Sequence, residues 1–202
     1  MEHGSLTASD HILATEVKME RYIYDCVWDR IWIARNNDGV ERTNEGRGFI
    51  QQDKEEFWQL MEYLIELKPQ KILEIGNACG GTTLFWQALA PEVYSLDIKP
   101  LEGHIPGNYF PNVTFIVGDA HKQETLEEAK VFAPYDFLFI DGDHCTEGVK
   151  QDYEMYSPLV RSGGIVGFHD YNHDPVRTFL KKLDGLTVMP MDRFGIAILK
   201  VS

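Results

Sequence analysis

Two kinds of side chain stand where they could do chemistry in this 202-residue chain: acids that close apolar runs, and histidines beside some of those acids. Glu74 precedes a glycine turn, Gly76-Asn-Ala-Cys-Gly80. Asp97 ends Val93-Tyr-Ser-Leu-Asp97, and Ile98 follows it. Asp119 follows Val113-Thr-Phe-Ile-Val-Gly118 and is followed by Ala120. An apolar run that enters a glycine turn and then a helical pattern builds a pocket for a nucleoside-bearing cofactor, at the carboxyl ends of parallel strands. An acid at the place of Asp97 accepts ribose hydroxyls. The Gly-Asp-Ala turn sets Asp119 and the Ala120 amide beside an adenine edge, unless Asp119 serves only as a helix cap.

A second set lies further along. Phe137-Leu-Phe-Ile-Asp-Gly-Asp-His144 ends in Asp141, Asp143 and His144, and Gly163-Gly-Ile-Val-Gly-Phe-His-Asp170 ends in His169 and Asp170. In an extended chain residues i and i+2 face the same way, so Asp141 and Asp143 enter one cleft. Asp141, His169 and Asp170 together offer two oxygens and one imidazole nitrogen. That set suits Mg, Mn, Fe or Zn and leaves room for substrate oxygens. Adjacent residues share a face only if the strand has ended, so His169 and Asp170 both bind only if the run stops before them. The alternative is that Asp141 touches the cofactor and His169 is a hydrogen-bonded site residue. Asp143 is the candidate general base, with His144 in reserve because its intrinsic pKa suits neutral pH.

The elements that must position these residues follow from periodicity. Residues 9–34 read as a helix, capped by Ser9 or Asp10, and residues 35–48 as a polar, lid-like loop. Residues 53–67 read as a helix with Asp53 as cap and Glu56 completing a capping box. From residue 70, strands at 71–75, 92–97, 113–117, 136–140 and 164–168 alternate with helices at 81–89, 122–130, 146–156 and 175–183. That order predicts an α/β fold, a doubly wound and mostly parallel sheet. The runs 186–190 and 195–201 are too close for a helix between them and predict an antiparallel hairpin at the end. The chain divides into residues 1–50, an N-terminal helix and loop, and residues 51–202, the cofactor-binding domain. The helix either packs on that domain or serves a homo-oligomer or acceptor site.

Composition excludes several classes. Apolar residues are 44% and charged residues 25%, which is ordinary for a globular domain. A net charge of −13 repels phosphate backbones, so neither nucleic acid nor an anionic membrane is expected as partner. Cys26, Cys79 and Cys145 match no disulfide or zinc spacing and fit free thiols in a reducing, cytoplasmic setting. No secretory signal and no membrane span are expected.

The glycine spacing discriminates between cofactors. A dinucleotide fold wants G-x-G-x-x-G, whereas Glu74, Gly76 and Gly80 give E-x-G-x-x-x-G with Ala78 where the second glycine would stand. This resembles motif I of the class I S-adenosylmethionine (SAM) methyltransferases. The strings around Asp97, Asp119 and Asp141 follow in that family's order. Phe139-Ile-Asp-Gly-Asp-His144, Gln151-Asp-Tyr153 and the run Gly163–Tyr171 resemble the group of small-molecule O-methyltransferases that act on macrolide sugars and the cephalosporin-hydroxylase-like proteins. The resemblance implies a seven-stranded Rossmann-like fold. It implies SAM held by Glu74, Gly76, Asn77, Gly80, Asp97, Ile98, Asp119, Ala120 and Asp141. It also implies O-methylation of a small hydroxylated metabolite, in many members with a divalent metal. Glu74 either orients the turn or draws the cationic end of SAM. Tyr171, Asn172 and His173 are candidates to line the acceptor pocket. An NAD-type oxidoreductase is the competing class, disfavoured by the missing glycine and the terminal hairpin. A catalytically silent SAM-binding protein is the third.

Overall fold

The computed structural model describes residues 21–36, 50–101, 110–190 and 193–202. The expected loop at 35–48 and the start of the first helix lie largely outside the described residues. Helix α1 spans Arg21–Asn36 and α2 Lys54–Leu67. Then come β1 (Lys71–Ile75), α3 (Gly81–Leu89), β2 (Glu92–Asp97), β3 (Val113–Val117) and α4 (Gln123–Lys130). They are followed by β4 (Tyr135–Ile140), α5 (Thr146–Tyr156), β5 (Val160–Phe168) and α6 (Asp174–Leu180), and by β6 (Thr187–Val188) and β7 (Ala197–Lys200).

The seven strands form one sheet in the order β3-β2-β1-β4-β5-β7-β6. Strands β1 to β5 pair in parallel, and β7 is antiparallel to both β5 and β6. The strand order reverses between β1 and β4, so a crevice opens at their carboxyl ends. The predicted terminal hairpin is present, but β6 is only two residues long.

Alternation along the strands divides the core. Ile72, Phe137 and Phe139 face one side, where Tyr24, Phe57, Phe85 and Trp86 from α1, α2 and α3 cover them. Leu73, Leu138 and Ile140 face the other, under Leu126, Val149 and Val176 from α4, α5 and α6. Tyr24 is fully buried and its hydroxyl donates to the Lys54 carbonyl at 2.6 Å. This stretch of α1 therefore packs on the domain, within the same core as the sheet.

Asp53 caps α2 as expected, accepting from the Glu55 and Glu56 amides. Glu56 has a role beyond a capping box. Its buried carboxylate accepts the backbone amides of Arg193, Phe194 and Gly195. The start of α2 thus holds the turn that leads into β7, and Phe194 in that turn packs on the His169 ring.

Candidate active site

The ends of the central strands are laced together by their own backbones. The Gly76 amide donates to Leu96 O at 2.8 Å, Asp141 N to Ile75 O at 2.9 Å, and His169 N to Ile140 O at 3.1 Å. The approach is closest at Gly76, where a Cβ would lie 2.1 Å from the Asp141 carbonyl oxygen, and φ is +88°. Glycine is thus required here because two strand ends meet. The turn continues through Ala78 at φ +46° and Gly80 at φ +79°, and Gly80 caps α3.

Three acids hold this turn and its neighbours. Glu74 has no exposure. It accepts from the Thr82, Thr83 and Ser95 hydroxyls and, at 2.7 Å, from the Trp86 indole. Burial lifts its carboxyl to about 6 although all four donors oppose the rise. It orients the turn from behind and is not among the residues that line the cleft. Asp97 Oδ2 accepts the Asn77 and Ala78 amides, both at 3.0 Å, and Oδ1 accepts Lys99 N at 3.1 Å. Asp119 Oδ1 accepts the His121 amide at 2.9 Å. The Asn77 side chain turns inward to Ser95 at 2.9 Å, so only its backbone faces the turn.

A cleft of about 700 Å³ runs past these residues. Gly76, Ala78, Asp97 and Ile98 line one part, and Asp119, Ala120 and His121 another. Asp141, Asp143, His144 and Asp152 line the rest. Ile98 is 66% exposed and offers an apolar wall.

At the far end two carboxylates meet two imidazoles. His169 Nδ1 lies 3.0 Å from Asp141 Oδ1 and 3.4 Å from Asp170 Oδ2. His144 Nε2 lies 3.4 Å from each of the same two acids. Strand β5 ends at Phe168 and Asp170 adopts φ +57°, so the chain turns there and both His169 and Asp170 reach the cluster. Burial would raise the Asp141 carboxyl, but His169 and His144 outweigh it and bring it down to about 2. Burial would lower His169, and Asp141 lifts it instead to about 10. Hydrogen bonding to Asp141 raises His144. Asp141, His144 and Asp170 offer ligand atoms that all lie within 4.8 Å of one another.

Asp143 stands apart from this cluster. Its Oδ1 accepts the Cys145 amide at 2.9 Å, which holds its pKa below the usual carboxylate value, and the side chain lies against Gly148 at the start of α5. His173 reaches only the edge, its ring 6.5 Å from that of His144. Three residues without a role in the sequence reading belong here. Gln52 donates to Asp141 Oδ2 at 2.8 Å, and His121 and Asp152 form a pair 3.0 Å apart. Gln52 sits just before a cap residue and Asp152 inside an amphipathic helix, and neither position signals a site by spacing.

A family model described as a methyltransferase domain matches residues 73–171. That segment is a methyltransferase domain. The strand order of the whole sheet, with its antiparallel end, is that of the Rossmann-like methyltransferase fold. The chain is 27% identical over 152 residues to a rhamnosyl O-methyltransferase of Mycobacterium leprae, covering 69% of this chain and 60% of that protein. The methyltransferase fold also matches the O-methyltransferase from Bacillus cereus in complex with SAH (TM-score 0.54, 18% identity, 97% of this chain and 98% of that one). A methyltransferase of the mycinamycin biosynthetic pathway, solved with Mg, SAH and mycinamycin VI, matches at TM-score 0.52 and 19% identity, over 69% of this chain and 46% of that one. Among the described residues no helix is long and apolar enough to cross a membrane.

Proposed function

We propose that this methyltransferase moves the methyl group of SAM to a hydroxyl oxygen of a small metabolite, with a divalent cation ordering the acceptor. One observation carries the reading. A single cleft joins the Asp97–Ile98 side, built for a nucleoside, to the Asp141–His144 end, built for a cation and a proton.

The donor set fits a divalent ion, since the Asp141 and Asp170 carboxylates and the His144 imidazole offer ligand atoms within 4.8 Å of one another. Asp141 and Asp170 would hold it, and His169, which Asp141 keeps protonated, would have to release its proton before Nδ1 could join them. A cation there would lower the acceptor hydroxyl's pKa and fix its direction. Gln52 pins the second oxygen of Asp141 and so fixes that carboxylate's rotation. Asp97 and the turn 76–80 would hold the nucleoside and so set the donor methyl in line with the acceptor oxygen. The acceptor's proton goes to His144, which is half-exposed at the cleft mouth and touches both acids. The geometry favours His144 over Asp143, whose carboxylate is occupied at the α5 start. The mycinamycin-pathway neighbour, which holds both Mg and SAH, supports the metal.

The test is methyl transfer from SAM to a panel of small hydroxylated acceptors, with and without chelator. Activity should vanish with chelator and return with a divalent ion, Mn, Fe or Zn serving better than Mg because imidazole suits transition metals. SAH binding should survive chelation. Full turnover in excess chelator discards the metal, and failure to bind SAH discards the whole reading.

A further inference from the structure

The turn that leads into β7 presents a side chain that the reading above does not use. Arg193 is exposed, and among the described residues no carboxylate pairs with its guanidinium. Its backbone, by contrast, is clamped from two sides. The Arg193, Phe194 and Gly195 amides donate to the Glu56 carboxylate, and the Arg193 carbonyl accepts from Asn172 Nδ2 at 2.9 Å. The Asn172 amide donates to Phe194 O at 2.8 Å and the Tyr171 amide to Gly195 O at 3.1 Å. The turn is therefore tied to the residues that directly follow Asp170.

The guanidinium lies over the Phe194 ring, 4.6 Å from its centroid, and that ring lies 5.4 Å from the His169 ring. Stacking uses the flat face of a guanidinium. It leaves the N–H groups at the edge free, in the fork that matches a carboxylate or a phosphate. A side chain already held on a ring also has less freedom to lose when it binds.

Sheet order says which end of the site this charge serves. Along the carboxyl edge β1 ends in the glycine turn, β4 in Asp141, and β5 in His169 and Asp170. The next strand is β7, whose first residue, Ala197, pairs with Phe168 at the end of β5. The turn 193–195 thus stands beyond the imidazole–carboxylate cluster, on the side away from the cofactor turn. An acceptor whose oxygen meets the donor methyl from across the cluster lies on that side. Five aspartates line the cleft: Asp97, Asp119, Asp141, Asp143 and Asp152. They would repel an anionic group, so a charged acceptor would enter hydroxyl first and keep its anion outward, against Arg193.

We propose that Arg193 is an anion subsite at the acceptor end, and that the acceptor carries a carboxylate or a phosphate ester besides its reacting hydroxyl. The proposal rests on the SAM reading above and narrows its substrate class.

The experiment is calorimetric titration of the SAH-saturated full chain, with Mn present, using two matched pairs. One is protocatechuate against its methyl ester, the other inositol monophosphate against inositol. The parent should bind the charged member of one pair about tenfold tighter than the neutral member, or more, as charge-assisted hydrogen bonds allow. Which pair shows the preference tells a carboxylate from a phosphate. Arg193→Gln should cut that preference to about twofold or less, by weakening the charged compound alone. Arg193→Lys should restore only part of it, since an ammonium keeps the charge and loses the fork. The ties that hold the turn are made by backbone atoms of Arg193, so both variants should fold, which a thermal melt checks. Equal affinity within both pairs in the parent overturns the proposal, and so does a preference unmoved in Arg193→Gln. A parent that holds SAH but binds neither charged compound overturns it too. A parent that does not bind SAH rejects the SAM reading itself.

Discussion

Carboxylates close strands on both sides of the sheet's reversal, and the two sides use them differently. On the β1–β2–β3 side they face neutral donors. Asp97 and Asp119 accept main-chain amides, and Glu74 accepts hydroxyls and an indole. On the β4–β5 side Asp141 and Asp170 face imidazoles. Neutral donors fix a loop and do not exchange. Imidazoles can lose a proton and share the carboxylates with a cation, so under the proposed function the same residue type would be a scaffold on one side and a reacting centre on the other. Charge follows the partners: burial wins at Glu74 and raises it to about 6, while at Asp141 the histidines win and bring it down to about 2.

The two sides meet at Gly76, and breaking that contact should have the largest effect. A Cβ there would collide with the Asp141 carbonyl, and the collision is with backbone that has nowhere to move. Gly76→Ala should cost roughly 4 kcal/mol and abolish SAH binding. Urea denaturation checks it, and a cost below about 1 kcal/mol would show that the strand ends tolerate separation.

Glu74→Gln probes the scaffold side next. The three hydroxyls can rotate to meet an amide, but the Trp86 indole only donates. The parent's Glu74 takes up protons more readily folded than unfolded. Its stabilising share is therefore fully present below the unfolded value of 4.5 and is lost as pH rises through about 6. The variant lacks this slope. It should be less stable by about 3 kcal/mol near pH 4, and the gap should shrink by about 2 kcal/mol above pH 6. Equal gaps at both pH values, read from chemical denaturation, would show that Glu74 titrates as in the unfolded chain.

Much of the scaffold side was legible in the sequence, since a strand, a glycine turn and a strand-end acid are local patterns. The boundaries of β1, β2 and β3 match the expected runs. So does the antiparallel end, because too few residues separate the last two runs to hold a helix. The reacting side was legible in its members but less in their arrangement. Whether His169 and Asp170 could share a site depended on where β5 stopped, which the left-handed turn at Asp170 decides. Asp141 and Asp143 do line one cleft, as the alternation led one to expect, but the strand ends at Ile140 and the Asp143 carboxylate is held at the α5 start. The ties from Gln52 and Glu56 join residues far apart in sequence, and no periodicity reports such pairs.

A crossed pair of substitutions separates the two uses of a carboxylate. Asp97→Asn should weaken SAH binding by about 2 kcal/mol, because one amide group cannot satisfy both the turn and the ribose. Asp170→Asn should leave SAH affinity within about twofold of the parent while turnover falls, as expected when only the acceptor end is touched. Calorimetry and a single-turnover assay on each variant make the test. If Asp170→Asn lost SAH affinity as Asp97→Asn does, the division between the sides would fail.

The smallest effect is expected at Asp143, and it decides between two candidate bases. Its carboxylate receives the amide of Cys145, the residue that caps α5, and rests on Gly148. Asp143→Ala should therefore cost about 1 kcal/mol in stability, as the loss of one such hydrogen bond does, with turnover within about tenfold of the parent. His144→Ala should behave in the opposite way, with stability nearly unchanged and turnover down by roughly 10²–10⁴, the contribution of a positioned base. Its ring is half-exposed, so little packing is lost, and both acids it touches keep His169. Thermal melts separate the stability effects and single-turnover rates the chemical ones. A drop of 10² or more in Asp143→Ala with an unchanged melt would return the base to Asp143 and would mean that its hold on α5 opens when the acceptor binds.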